Sequence, residues 1–154
     1  MREKKGSRRR RFKLGNKHEL WVIETKGVSR WEIHDKGGRK VKVVSEHPLL
    51  NLLVIPSNGW YIYRENGVGI ILYSDKQDFS DPTICILLLY HEIGHLLNWH
   101  RFTRKQRKLD ERCAWAFALR EMRRLEDELE VTLLTLKRAR DIRKKFHRWM
   151  ERMY

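Results

Sequence analysis

The feature that most constrains this chain is an unbroken apolar run, Ile84-Cys85-Ile86-Leu87-Leu88-Leu89-Tyr90, that passes directly into His91-Glu92-Ile93-Gly94-His95. Ser80-Asp81-Pro82 ahead of it offers an N-cap followed by a proline in the first turn, so the whole stretch is predicted to be one helix. A helix this apolar must be buried, and buried ionisable groups are costly unless something pairs with them. The polar residues it carries come at a ligand spacing. Residues four apart share a helix face, so His91 and His95 can each aim a ring nitrogen at one metal ion, with zinc the expected occupant. Glu92 lies about 100° around the helix, off the ion but placed to take a proton from an attacking water. The HExxH spacing thus supplies two ligands and a general base in five residues.

A catalytic zinc site needs a third protein ligand and an open fourth position. His100 is a poor candidate: on a continuing helix it points about 180° away from His91. The better one lies in the next helical segment, residues 109–118, where Glu111, Ala114 and Ala118 fall on one stripe at i, i+3 and i+7. Two alanines there allow close packing on the first helix, bringing Glu111 within reach of the ion. Asp110 remains an alternative, and so does a reading in which both acids are solvated and merely offset the helix dipole. Cys113 is not needed as a thiolate ligand, because two imidazoles and a carboxylate already complete a three-ligand set.

At these residues the chain resembles the ImmA/IrrE family of zinc metallopeptidases. His91-Glu92-Ile93-Gly94-His95 is similar to that family's HExGH helix, and Glu111, Ala114, Phe117 and Ala118 to its second helix, E-x-x-A-N-x-F-A. The resemblance runs from about residue 59 to residue 119. It departs at Trp115, where the family has asparagine, and at Leu119-Arg120-Glu121-Met122. It implies zinc held by His91, His95 and Glu111, Glu92 as the base, and a substrate among regulatory proteins such as transcriptional repressors. The fold expected is α+β and zincin-like, a small antiparallel β-sheet packed on the active-site helix with further helices after it.

Charge is distributed unevenly. Residues 1–17 hold nine Lys/Arg against one acid, residues 131–154 hold eight against two, and the stretch between is balanced. All of the net +14 therefore lies at the two ends. That pattern predicts a basic, disordered arm over 1–17, a metallopeptidase domain over 18–130 and a basic C-terminal helix over 131–154 docked on it. Leu136, Ala139, Ile142, Phe146, Trp149 and Met153 give that helix its apolar stripe. Basic ends also point to DNA or RNA as a partner. A second reading is accordingly a nucleic-acid-associated regulator with little hydrolysis, and a third is a DNA-tethered protease similar to the SprT type, whose third histidine after HExxH is not evident.

The remaining sequence sets the scaffold. Short strands are expected near residues 20–23, 31–34 and 41–44, and a hairpin through Asn66-Gly67 joins strands near 61–64 and 69–73. Residues 48–56 are ambiguous between helix and strand. If the second hairpin strand forms the rim of the cleft, a peptide substrate can add to it as a further strand. Cys85 and Cys113 lack a CxxC spacing and read as core residues in a reducing cytoplasm. No apolar run is long enough to span a bilayer, and Lys13-Leu14-Gly15-Asn16-Lys17 stands where an export signal needs an apolar segment, so neither membrane insertion nor export is expected.

Overall fold

Apolar residues at every second position turn the first half of the chain into strands. In the computed structural model, which describes residues 6–74 and 79–153, β1 (Ser7–Leu14), β2 (His18–Thr25) and β3 (Val28–Asp35) form an antiparallel meander. β4 (Lys40–Val43) pairs with part of the far edge of β3, and β5 (Leu52–Ser57) meets that edge at Ser29 opposite Val54. The ambiguous segment is thus extended over residues 52–57. β6 (Tyr61–Glu65) and β7 (Val68–Ser74) form the expected hairpin. Asn66 and Gly67 both take left-handed backbone angles, φ 51° and 77°, as a tight two-residue hairpin turn requires. The result is one seven-stranded, mostly antiparallel sheet ordered β1-β2-β3-β5-β7-β6.

Two expectations are corrected here. β7 does not form a rim. It pairs in parallel with β5 on one side and antiparallel with β6 on the other, so no edge is open to an added peptide strand. Its sequence explains this: Gly69, Ile70, Ile71 and Tyr73 are buried, the pattern of an interior strand. Nor are residues 7–14 of the basic N-terminal segment disordered; residues 1–5 lie outside the described residues. Phe12 and Leu14 point β1 into the sheet core, with Phe12 stacked on Phe79 at 4.7 Å. Three of the four consecutive arginines find partners. Arg9 and Arg11 lie over the Trp21 ring at 4.7 and 4.8 Å, Arg10 pairs with Glu24 and Arg11 with Glu19.

The chain divides into two compact units, Met1–Ile86 and Leu87–Tyr154. The first is cored by Leu20, Val22, Trp31, Ile33, Ile71 and Tyr73. A buried polar chain ties its strands together. The Tyr73 hydroxyl donates to Glu24 at 3.0 Å and lies 2.9 Å from Ser29 Oγ, which also accepts from Trp31 Nε1. Burial pushes the Tyr73 phenol up to about 12, with the Ser29 bond opposing and the Glu24 charge adding. A raised folded-state value means that the protonated phenol favours folding below its ordinary range, and that this contribution disappears as pH climbs from about 10 to about 12. Tyr73→Phe is expected to cost about 1–2 kcal/mol at neutral pH. Urea melts of both proteins across that alkaline window should show wild type losing its advantage.

The second unit is helical. α1 (Pro82–Leu97), of which residues 87–97 belong to this unit, begins where expected: Asp81 Oδ1 accepts a bond from the backbone N–H of Ile84 at 3.3 Å. It ends at Leu97, before His100. After a 3₁₀ turn at Arg104–Gln106 comes α2 (Arg107–Leu129), then α3 (Leu136–Met153). The expected C-terminal helix therefore exists, and it belongs to the same unit as α2. α2 stops at Glu130, which adopts a left-handed conformation with φ 55°. The turn onward is held by one buried carboxylate: Glu126 accepts from the backbone N–H groups of Leu133 and Leu134 at 2.7 and 3.0 Å, and from Arg123 at 2.6 Å. No helix among the described residues is long and apolar enough to cross a membrane.

Candidate metal centre

Four-residue spacing on α1 puts His91 and His95 side by side, with their Nε2 atoms 3.0 Å apart. α2 brings in the third group. Glu111 Oε2 lies 3.2 Å from His91 Nε2, and Glu111 Oε1 lies 3.2 Å from His95 Nε2. Among the described residues these three form a group that could hold a metal ion, with one ligand atom from each and all within 4.8 Å of one another. Tetrahedral zinc, with bonds of about 2.0–2.1 Å, sets its ligand atoms about 3.3 Å apart. The two imidazole nitrogens therefore need to open by only a few tenths of an ångström, and Glu111 offers a separate oxygen at 3.2 Å to each of them. Two imidazoles and a carboxylate are also the donor set that zinc accepts when one position is left for water.

The close approach of α2 depends on small residues. Ala114 and Ala118 are fully buried, and a Cβ on Gly94 would meet Ala114 Cα at 3.1 Å and Phe117 Cδ1 at 3.1 Å. Gly94→Ala is therefore expected to push α1 and α2 apart next to His95, without deleting any of the three candidate ligand side chains. Zinc affinity should fall roughly tenfold, as for other changes that disturb ligand orientation. Competition against a chromophoric chelator measures it, and unchanged affinity would mean that the helices absorb the methyl elsewhere.

Asp110 does not join the triangle. It binds the other nitrogen of His95, with Nδ1 and Oδ1 at 3.1 Å. A carboxylate there fixes the proton on Nδ1 and leaves the Nε2 lone pair for the cluster. Of the open sequence alternatives, Glu111 is the group placed at both imidazoles, and Asp110 orients one of them. On His91 the corresponding support is different. Its Nδ1 is buried without a hydrogen-bond partner among the described residues, and its ring lies against Trp115 at 4.2 Å and Phe146 at 6.3 Å.

The electrostatics agree with this placement. Burial disfavours the charged forms of both His95 and Glu111, but their mutual contacts win. The Glu111 hydrogen bond pushes His95 up to about 9, helped by the charges of Glu111 and Asp110. Bonds from His91 and His95 hold Glu111 down to about 2, so the carboxylate is ionised. A proton on His95 Nε2 would stand where the cluster could hold a metal ion. Glu92, half-buried on α1, is raised above the usual carboxylate range by burial, with opposing charge from His91 and His95.

Other candidates fall outside. His100 is exposed, beyond the end of α1 at φ 65°, and Cys113 is a free, half-buried thiol. His147 is exposed on α3. Sequence reasoning missed Trp115 and Phe146 as parts of the site. Trp115 follows Glu111 by four residues, a signal that was available; Phe146 depends on how α3 folds back. The chain matches no protein-family model, no curated protein and no solved structure.

Proposed function

We propose that this chain is a zinc-dependent metallopeptidase, similar to the ImmA/IrrE enzymes, that hydrolyses a peptide bond in a regulatory, repressor-like protein. The observation that carries the reading is the convergence of His91, His95 and Glu111 on one point, with Glu92 on the same helix turn. In this reading the fold is zincin-like and the three residues hold zinc. Zinc held by His91, His95 and Glu111 would supply Lewis acidity, polarising the scissile carbonyl and lowering the pKa of a water toward about 7. Glu92 accepts the proton of the attacking water and returns it to the leaving amine, a double task suited to a carboxyl raised by burial. Asp110 keeps His95 in the ligating tautomer, and Trp115 covers one face of His91.

The test is incubation of the zinc-loaded protein with a proteome-derived peptide library, reading new termini by mass spectrometry. Cleavage that disappears with a chelator and returns with zinc supports the proposal. No cleavage by protein carrying about one zinc per chain would overturn hydrolysis.

A second reading, association with nucleic acid, is favoured by Lys144, Lys145, Arg148 and Arg152, all exposed along α3. It requires DNA or RNA binding that weakens steeply with salt and persists after zinc removal.

A further inference from the structure

α2 and α3 run antiparallel. Lys108 pairs with Glu151 at 3.5 Å, Trp115 meets Phe146 at 4.9 Å, and Arg123 donates to the Leu134 carbonyl at 2.7 Å. From Ala116 toward the connecting turn the two helices border a groove of about 600 Å³. Its floor is apolar: Ala116 and Leu119 from α2, Leu136 and Ala139 from α3. Leu136 is 69% exposed. Its walls are cationic, with five arginines and no acid. Arg123 and Arg124 are held by Glu126 and Glu121. Arg120, Arg140 and Arg143 form no hydrogen bond or ion pair with the described residues.

We propose that this groove docks an acidic amphipathic helix of a partner protein. The apolar face of that helix packs on Leu119, Leu136 and Ala139, and its flanking carboxylates pair with Arg120, Arg140 and Arg143. The two halves of the groove ask for different things, and this occupant supplies both. Three guanidinium groups without counter-ions call for several anions in fixed positions, which forked pairing with carboxylates satisfies. An exposed leucine lining the same groove as two alanines calls for apolar surface, and small residues let a third helix approach to the usual 8–10 Å. A phosphodiester backbone meets the first demand and leaves Leu136 in water. Arg140 and Arg143 stand one turn apart on α3, with Arg120 on the facing helix, so acids on both flanks of the incoming helix are engaged. The inference depends on neither zinc nor hydrolysis.

The probe is a fluorescein-labelled helical peptide of about 18 residues, with leucines at i, i+3/i+4 and i+7 and glutamates beside them. It is titrated with the full-length protein by fluorescence anisotropy at near-physiological salt. Saturable binding is expected. Affinity should drop by about tenfold or more in the triple charge reversal Arg120→Glu, Arg140→Glu, Arg143→Glu, and again in Leu136→Glu, while Arg64→Glu on β6 leaves it unchanged. A peptide of the same composition with its leucines spread around the helix should bind at least about tenfold more weakly. The neutral double variant Arg140→Gln, Arg143→Gln guards against misfolding, and all variants should keep the wild-type circular dichroism melt. Four outcomes would overturn the proposal: no binding; equal binding of the permuted peptide; full displacement by duplex DNA with the groove variants as well bound as wild type; or a concentration-dependent dimer, abolished by Leu136→Glu, that excludes the peptide.

Discussion

Glu92→Gln is expected to retain about one zinc per chain and to hydrolyse peptide about 10²–10⁴-fold more slowly than wild type. The substitution keeps the shape of the side chain and touches none of the three converging ligand atoms, which belong to His91, His95 and Glu111. It removes the basic oxygen. A neutral amide cannot accept the proton of the attacking water, so the loss should appear in kcat with little change in KM. Elemental analysis gives the zinc content, and turnover of a peptide found in the library screen gives the rate. Activity that survives the change removes Glu92 from the chemistry. Zinc lost along with activity would make Glu92 a structural support of the cluster instead.

The second large effect separates the two neighbouring acids of α2. Glu111→Gln should weaken zinc by more than ~100-fold, because it removes a ligand rather than a ligand's partner, and partner changes alone cost about 10–100-fold. Asp110→Asn should fall within that smaller range. Its side chain touches His95 Nδ1 only, so its loss frees the ring's tautomer without deleting a donor. Chelator competition on both variants orders them. The ranking is the sensitive part: if Asp110→Asn loses more zinc than Glu111→Gln, the ligand and orienting roles are exchanged. If both retain wild-type affinity, the metal is not held here.

What could be read from the sequence was what lies within a few residues along the chain. His91, Glu92 and His95 are set by the turn of one helix, and Asp81 caps it as Ser80-Asp81-Pro82 suggests. Glu111 was reachable because Ala114 and Ala118 announce a close helix contact, and both are fully buried. β1 was hidden by its own composition. Four consecutive arginines mask the alternation that Phe12 and Leu14 reveal, and the charges of Arg9, Arg10 and Arg11 are met by Glu19, Glu24 and the Trp21 ring. The position of β7 between β5 and β6 is a long-range pairing choice, invisible to local pattern. Trp115 reads in sequence as a departure from the ImmA/IrrE pattern; in space it lies against His91, a placement that requires knowing how α2 and α3 rest on α1.

The carboxylate of Glu126 makes the second unit a lever. Its bonds to the Leu133 and Leu134 N–H groups fix the pivot from which α3 departs, and Phe146 rides far out on the arm with its ring beside Trp115 and His91. Phe146 stands ten residues beyond the first residue of α3, about 15 Å along an arm rising 1.5 Å per residue. A tilt of about 10° at the fulcrum would sweep that ring through roughly 2.6 Å, more than half the spacing that separates it from Trp115. Glu126, which never meets the cluster, thus holds the six-residue bend from which the helix carrying Phe146 runs back to Trp115 and His91.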